Sequence, residues 1–244
     1  MNQIQYFITA GCSYSAGTSD VLKAKRNPQT WSDYLLSKLN PEYFYNLAMS
    51  AGGNTQISKN LIYMLETKKY ITPKDTLIGI NLSGLDRIDT MCAVDNLYAN
   101  KNFLWAQDFR FGWITQGSFL FNAPPFNGIL QKNMELTQVK LSSCLSIMQC
   151  LAYLDWRGFD YFFMLMDDSI IDDAPDWFKD SLLNSRQDRY IKFDEHRSMY
   201  SFAKNQNLLS NDNFHPSQAG YRLIGDRVYK FLVDKNIITP GEKL

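Results

Sequence analysis

Histidine is scarce in this sequence, and the sequence features of nucleic-acid-binding, membrane-spanning, secreted and metal-binding proteins are absent. Only two histidines occur among 244 residues. The 25 basic and 25 acidic residues balance, and no cluster of lysine and arginine is dense enough to follow a phosphate backbone. We therefore expect no nucleic-acid partner.

Long apolar runs are missing as well. No segment approaches the roughly 18 consecutive apolar residues of a membrane-spanning helix. The first residues, MNQIQYFITAG, lack the basic and apolar regions of a signal peptide. The sequence therefore predicts a soluble, cytoplasmic protein with no membrane partner.

Cysteine is present but not in a pattern that binds metal. Cys12, Cys92, Cys144 and Cys150 form neither a CxxC pair nor the spacing of zinc ligands. Reduced thiols explain them better than a disulfide framework does. We expect no metal and no cofactor.

What the sequence does contain is an alternation of short apolar runs with helical patterns, which is typical of a parallel sheet covered by helices. We expect one domain over residues 1–244. Strands are predicted at 4–11, 43–48, 76–83 and 159–166, with 189–193 as the candidate fifth strand. Helices are predicted at 31–39, 54–70, 134–156 and about 217–233.

Apolar spacing also predicts which helix faces point inward. In helix 134–156, Leu141, Leu145, Met148 and Ala152 fall on one side. Asn54 is placed to cap helix 54–70.

Two stretches, 87–132 and 167–210, interrupt the alternation. The first is rich in aromatic residues, including Trp105, Phe111 and Trp113. Insertions after the third and fourth strands of such a sheet would lie over the edge where ligands bind. A substrate cap is one interpretation, and an oligomer interface or satellite core is the other.

Asp212 and His215 stand three residues apart, just before the last predicted helix. They are either a helix cap beside a loop histidine, or a base and its orienting carboxylate. Ser13, in ITAGCSYSAG, follows the first strand in a tight turn that could present its hydroxyl as a nucleophile, or it simply caps the next helix. Neither G-x-G-x-x-G nor G-x-S-x-G is matched there.

Taken in order, GCSYS, NLAMSAGGNT and NDNFHP resemble the motif blocks of the SGNH, or GDSL-type, hydrolases. The resemblance implies a three-layer α/β/α sandwich, flavodoxin-like, and a catalytic triad of Ser13, His215 and Asp212. Cys12 stands where the aspartate of the GDSL motif is usual, and we expect it to be buried. His196, among charged neighbours, is expected to be a solvated surface residue.

The resemblance also implies an oxyanion hole, whose donors stabilise the negative oxygen of the transition state. The donors would be the backbone N–H of Ser13 and that of Gly52, or of Ala51 if the register shifts by one. Where the family has asparagine in Gly-x-Asn-Asp, this chain has Leu85 before Asp86, so one donor is missing. The candidate replacements are Ser83, Asn54 and Asn81.

The sequence thus predicts a serine esterase acting on a small-molecule or glycan acyl ester. An O-acetylated carbohydrate is favoured because Trp105, Phe111 and Trp113 could stack on sugar rings. The alternative, favoured by Leu85, is a binding or structural protein on a degenerate SGNH fold, for example a bacteriophage virion component. A homo-oligomer or virion assembly is compatible with both.

Overall fold

The central sheet consists of four parallel strands. The structure, a computed structural model, describes residues 4–17, 29–93, 111–116 and 136–239. In it the strands are β1 (Tyr6–Ala10), β2 (Tyr43–Asn46), β3 (Thr76–Leu82) and β6 (Asp160–Leu165). Their order across the sheet is β2-β1-β3-β6. Every residue of β1 and β3 is buried, as expected of strands covered on both faces.

Helices connect the strands and cover the sheet. The four long ones are α1 (Trp31–Leu39), α2 (Asn54–Thr67), α3 (Leu136–Arg157) and α7 (Gln218–Asp234). The short ones are α4 (Ser169–Asp172), α5 (Asp176–Lys179), which continues as a π-helical turn over Asp180–Asn184, and α6 (Met199–Asn205).

The strand order assigns the long helices to two layers. The chain moves outward from β1 to β2 and then back across β1 to β3, so right-handed crossovers place α1 and α2 on opposite faces. In agreement, α1 packs with α7, whereas α2 packs with α3. The predicted α/β/α sandwich is therefore the observed architecture.

The candidate fifth strand is present only as a short paired segment. Phe163 in β6 donates its N–H to the Arg189 carbonyl and accepts from the Ile191 N–H, both at 2.9 Å. Phe163 and Tyr190 thus form one parallel bridge beside β6. The segment occupies the fifth position of the sheet without continuing as a regular strand.

The predicted inward face of α3 is wrong. Leu141 and Leu145 are 45% and 54% exposed, whereas Cys144, Ile147 and Leu151 are buried. The contact with α2 includes small polar side chains of both helices. Ser58, for example, donates to the Ser146 carbonyl at 2.9 Å. The buried face of α3 is therefore the one that carries Ser143, Ile147 and Leu151, and Leu141 and Leu145 lie outside it.

The two predicted insertions differ in what is described of them. In 87–132, strands β4 (Ile88–Ala93) and β5 (Phe111–Gln116) form an antiparallel pair. In 167–210, Ile170, Phe178 and Phe202 are buried in the same apolar core as the sheet. The second stretch is therefore an integral part of the core.

Candidate active site

Ser13 lies in a tight turn that follows β1. The carbonyl of Cys12 accepts from the backbone N–H groups of Ser15 and Ala16, each at 3.0 Å. Gly11 is required before this turn because a Cβ there would lie 3.0 Å from both the Asn81 Cβ and the Ser15 Oγ. The backbone therefore closes directly at the end of the strand, where it holds Ser13 at the edge of the sheet.

His215 lies in a second turn, which Asp212 shapes with one of its carboxylate oxygens. Asp212 Oδ1 accepts from the backbone N–H groups of Phe214 and His215, both at 2.9 Å, and from the Ser210 hydroxyl at 2.6 Å. Asn213 adopts a left-handed φ of 57°, which asparagine tolerates better than most residues. This turn leads directly into α7, which Ser217 caps by accepting from the Gly220 N–H.

The two turns bring three predicted side chains into one hydrogen-bonded row. His215 Nε2 lies 2.8 Å from Ser13 Oγ, and His215 Nδ1 lies 2.6 Å from Asp212 Oδ2. Hydrogen bonds from the Ser210 hydroxyl, from His215 and from backbone N–H groups hold the pKa of Asp212 well below its usual range. The carboxylate is therefore ionised at neutral pH and accepts from the imidazole.

Tyr14 joins the two turns, and the sequence analysis missed it. Its hydroxyl donates to the Phe214 carbonyl at 2.5 Å, and its ring packs edge-on against Phe214, with centroids 5.5 Å apart. The same ring lies 5.1 Å from the imidazole of His215. Tyr14 is fully buried, so this contact fixes the histidine turn relative to the residue next to Ser13.

The expectation that Gly52 supplies an oxyanion donor does not agree with the structure. The Gly52 N–H donates to the Met49 carbonyl at 3.0 Å, which closes the loop after β2 and uses the donor internally. Ala51, the alternative register, has a left-handed φ of 62°. Within the described residues, neither the Ala51 N–H nor the Ser13 N–H has an acceptor, so these two remain available to a ligand.

The three side chains proposed to replace the missing asparagine are also engaged or buried elsewhere. Asn54 is a helical residue of α2 rather than its cap, and its amide clamps Ser83, donating to the carbonyl at 2.7 Å and accepting from the N–H at 2.8 Å. Asn81 lies in the core, where it accepts from the Cys12 thiol at 3.3 Å. The Ser83 hydroxyl is inaccessible to solvent. The structure therefore corrects the assignments of Asn54 and Asn81, and that of Ser83 stays a prediction.

The position that the resemblance aligns with the family's asparagine carries an apolar side chain. Leu85 is buried in the core and carries no donor. Two residues further on, Arg87 lines a cavity of about 280 Å³ together with Met166 and Phe214. Sequence analysis gave no signal for Arg87, because its position relative to Ser13 depends on how the chain turns after β3.

The remaining sequence expectations have mixed outcomes. Cys12 is buried, as expected. His196 is not solvated, because its side chain is only 13% exposed and bonds to Asn205 at 3.1 Å. Trp105 lies outside the described residues, and Phe111 and Trp113 belong to β5, whose side chains are not described.

Comparison with known proteins reveals the fold but no close relative. No protein-family model matches the chain, and no curated protein matches it significantly. Among solved structures, the psychrotrophic esterase EstA from Pseudoalteromonas sp. superposes with a TM-score of 0.51 at 13% identity, covering 96% of this chain and 100% of that one. A G-D-S-L family protein from Desulfitobacterium hafniense gives 0.51 at 12% identity, with 93% and 99% covered. A lipase from a goat rumen metagenome gives 0.50 at 14% identity, with 93% and 96% covered.

These similarities extend over nearly the whole chain, and they place it in a structural class. The chain has the α/β fold of the GDSL-type, or SGNH, hydrolases. No helix in the described part of the chain is long and apolar enough to cross a membrane.

Proposed function

We propose that the protein is a serine hydrolase that cleaves acyl esters, with Ser13 as nucleophile, His215 as base and Asp212 as the residue that orients it. The observation that carries the proposal is the continuous row of hydrogen bonds, 2.8 Å from Ser13 to His215 and 2.6 Å from His215 to Asp212. The two turns are separated by most of the chain, and the stability of the fold does not require these atoms to be aligned. Their alignment therefore favours a catalytic role.

The first half of the reaction transfers the acyl group to the enzyme. Ser13 Oγ attacks the carbonyl carbon of the ester while His215 Nε2 takes the hydroxyl proton. When the tetrahedral intermediate collapses, the bond to the alcohol oxygen breaks and His215 returns the proton to that oxygen. Asp212 accepts from Nδ1 throughout, so it holds the productive tautomer and stabilises the imidazolium.

The second half restores the enzyme. A water molecule attacks the acyl-enzyme, His215 takes its proton, and the carboxylic acid leaves as Ser13 regains a proton. In both halves the carbonyl oxygen becomes negative and needs donors. The Ser13 and Ala51 N–H groups are proposed for this role, since no described residue accepts from either.

The alcohol part of the substrate is proposed to occupy a cavity beside the triad. This cavity of about 590 Å³ is lined by the aromatic rings of Tyr200 and Phe214 and by the polar side chains of Asp167, Asp168 and Asn205. Phe214 directly precedes His215 and is 37% exposed. Aromatic faces beside carboxylate acceptors suit a sugar carrying free hydroxyls, so an O-acetylated carbohydrate is the proposed substrate.

The experiment that tests the activity measures turnover of p-nitrophenyl acetate by the parent protein, by Ser13→Ala and by Asp212→Asn. We expect Ser13→Ala to lose turnover to the level of the uncatalysed reaction, and Asp212→Asn to lose on the order of 10⁴ in kcat because the wrong tautomer is favoured. Ser37→Ala, an exposed serine of α1 that donates only to the Tyr34 carbonyl, is the matched control. Parent-like turnover by Ser13→Ala would contradict the proposal.

The substrate class is tested separately. Acetate release from acetylated sugars should exceed release from acetylated simple alcohols, and Phe214→Ala should remove that preference. Equal rates on both classes, with an active parent, would reject the carbohydrate and leave the esterase.

A further inference from the structure

We infer that Arg87 is the missing donor of the oxyanion hole, replacing the asparagine whose position Leu85 occupies. This inference rests on the proposed esterase function. It concerns a side chain that the triad mechanism does not use and that belongs to none of the expected motif positions.

Arg87 is a nearly buried cation without an anionic partner in the described part of the chain. The residue is 5% exposed. Its guanidinium donates to the Gly52 carbonyl at 3.1 Å and contacts the Met166 sulfur at 3.5 Å, and no carboxylate of a described residue forms an ion pair with it. A guanidinium has five N–H donors, so most of them have no acceptor here. Burying such a charge is costly unless an anion compensates it, at least during the reaction.

The contacts of the guanidinium relate it to the Ser13 turn and to the loop that contains Ala51. Met166 Sδ, which Arg87 contacts, also lies 3.5 Å from the thiol of Cys12, the residue before Ser13. The Gly52 carbonyl that Arg87 binds belongs to the residue after Ala51. Burial raises the pKa of the Cys12 thiol, while the charge of Arg87 lowers it, which reflects the same proximity.

A cavity next to Arg87 extends to Phe214, the residue that precedes His215. It has a volume of about 280 Å³, and its lining includes Arg87, Met166 and Phe214. The other charged groups facing it are Lys140, which is paired with Asp173 at 3.0 Å, and the carboxylates of Asp86 and Asp167. These carboxylates disfavour a permanently anionic substrate, whereas a negative charge that appears only in the transition state would be held by the guanidinium.

The test compares variants that keep the fold but change the donors. Arg87→Met retains an unbranched apolar stem without donors, and Arg87→Lys retains the charge without the planar fork. Arg186→Met is the matched control, because Arg186 is also largely covered and donates to a backbone carbonyl, that of Ser181 at 2.8 Å, away from the triad. Folding of each variant is checked by circular dichroism and thermal melting.

We expect Arg87→Met to lower kcat for p-nitrophenyl acetate by about 10²–10³, the usual effect of losing one oxyanion donor. KM should change by no more than about threefold, because the donor acts in the transition state. Arg87→Lys should lie between this variant and the parent, and Arg186→Met should keep the parent kcat. Affinity for phenylboronic acid, which forms a tetrahedral anion on the serine, should fall by the same factor as kcat.

Four results would overturn the inference. One is a folded Arg87→Met protein with parent-like kcat. Another is a fall in kcat without a fall in boronic acid affinity, because Arg87 would then only support the Gly52 loop. If Arg87→Met does not fold, Arg87→Lys decides, and a parent-like kcat in it counts against the inference. An inactive parent would reject the esterase itself and the inference with it.

Discussion

At the scale of single residues, the site depends on side chains that both hold a backbone turn in place and position the proposed catalytic groups. Asp212 uses Oδ1 to close the turn and Oδ2 to orient His215. Ser210 donates to Oδ1, and so it stabilises the ionised carboxylate without contacting the imidazole. The geometry of the proposed triad therefore depends on this local turn.

Substitution of Tyr14 tests how strongly turnover depends on the position of the His215 turn. Tyr14→Phe removes the hydroxyl that donates to the Phe214 carbonyl at 2.5 Å but keeps the ring. We expect a loss of about 0.5–1.5 kcal/mol in the free energy of unfolding, as for one hydrogen bond. We also expect kcat to fall on the order of tenfold with little change in KM, since misplacing a catalytic group affects the reaction step.

The matched control for this variant is Tyr190→Phe. Tyr190 is another buried tyrosine, and its hydroxyl donates to the Arg197 carbonyl at 2.5 Å, away from the triad. Chemical denaturation should show that Tyr190→Phe loses a similar amount of its free energy of unfolding, and the variant should keep the parent kcat. Equal effects of both variants on kcat would show that Tyr14 acts only through stability.

The sequence predicts contacts between side chains within one turn, but it does not predict which backbone N–H groups are free. The Asp-x-x-His spacing predicts a contact, because three residues around one turn bring the two side chains together. Whether a backbone N–H is available depends on how its loop closes, which the NLAMSAGGNT motif does not reveal. For that reason the sequence leaves Gly52 and Ala51 as alternatives, and it gives no signal for Arg87 or Tyr14.

At the scale of elements, the loop between β2 and α2 contains an unusual backbone conformation. Ala51 has a φ of 62°, which is unfavourable for a residue with a Cβ. Ala51→Gly relieves this strain but makes the unfolded chain more flexible. We expect its free energy of unfolding to stay within about 1 kcal/mol of the parent, and kcat to be retained because the N–H remains in place.

Ser50→Gly provides the comparison for this loop. Ser50 is the neighbouring exposed residue, and its φ is not positive, so glycine brings only the cost in the unfolded state. Urea denaturation should therefore rank Ala51→Gly as more stable than Ser50→Gly. The reverse order would argue against strain at Ala51.

The contact between α2 and α3 predicts a dependence of stability on pH. Glu66 in α2 accepts from the Tyr153 hydroxyl at 2.5 Å and pairs with Arg157, both in α3. Hydrogen bonds from Lys69 and Tyr153 lower the pKa of Glu66 to about 2 from its ordinary 4.5. Because the folded pKa is lowered, the stabilisation is present above about pH 4.5 and is lost as the pH falls toward 2.

Glu66→Gln removes this ionised contact. We expect its Tm to lie below that of the parent at pH 7, and the difference to shrink as the pH falls below 4.5 and approaches 2. Glu195→Gln, at an exposed glutamate distant from this helix pair, should show no such convergence. A Tm difference that is constant from pH 7 to pH 3 would contradict the assignment.

Elements were more predictable than their packing. Strands appeared in the sequence as short apolar runs, since burial on both faces leaves no room for alternation. The inward face of α3 was not predictable, because apolar residues occur around most of that helix and the partner surface decides which are covered. The 189–193 segment read as a strand, but its pairing is limited to one bridge with β6.

At the scale of the whole molecule, the order of the strands assembles the site. The first strand is central in the sheet, so the turn that holds Ser13 opens at the middle of the carboxyl edge. Helix α7 packs against α1, and the turn that precedes α7 brings His215 to the same edge as Ser13. The two ends of the sequence therefore meet only in the folded protein, and activity should disappear with cooperative unfolding.

The most direct test of the central proposal is labelling with a fluorophosphonate, which reacts with an activated serine, followed by mass mapping of the modified peptide. We predict a single modified residue, Ser13, in the folded parent protein, no labelling in Ser13→Ala, and much slower labelling in His215→Ala. Labelling of the parent at any other residue, or no labelling of the folded parent, would contradict the account.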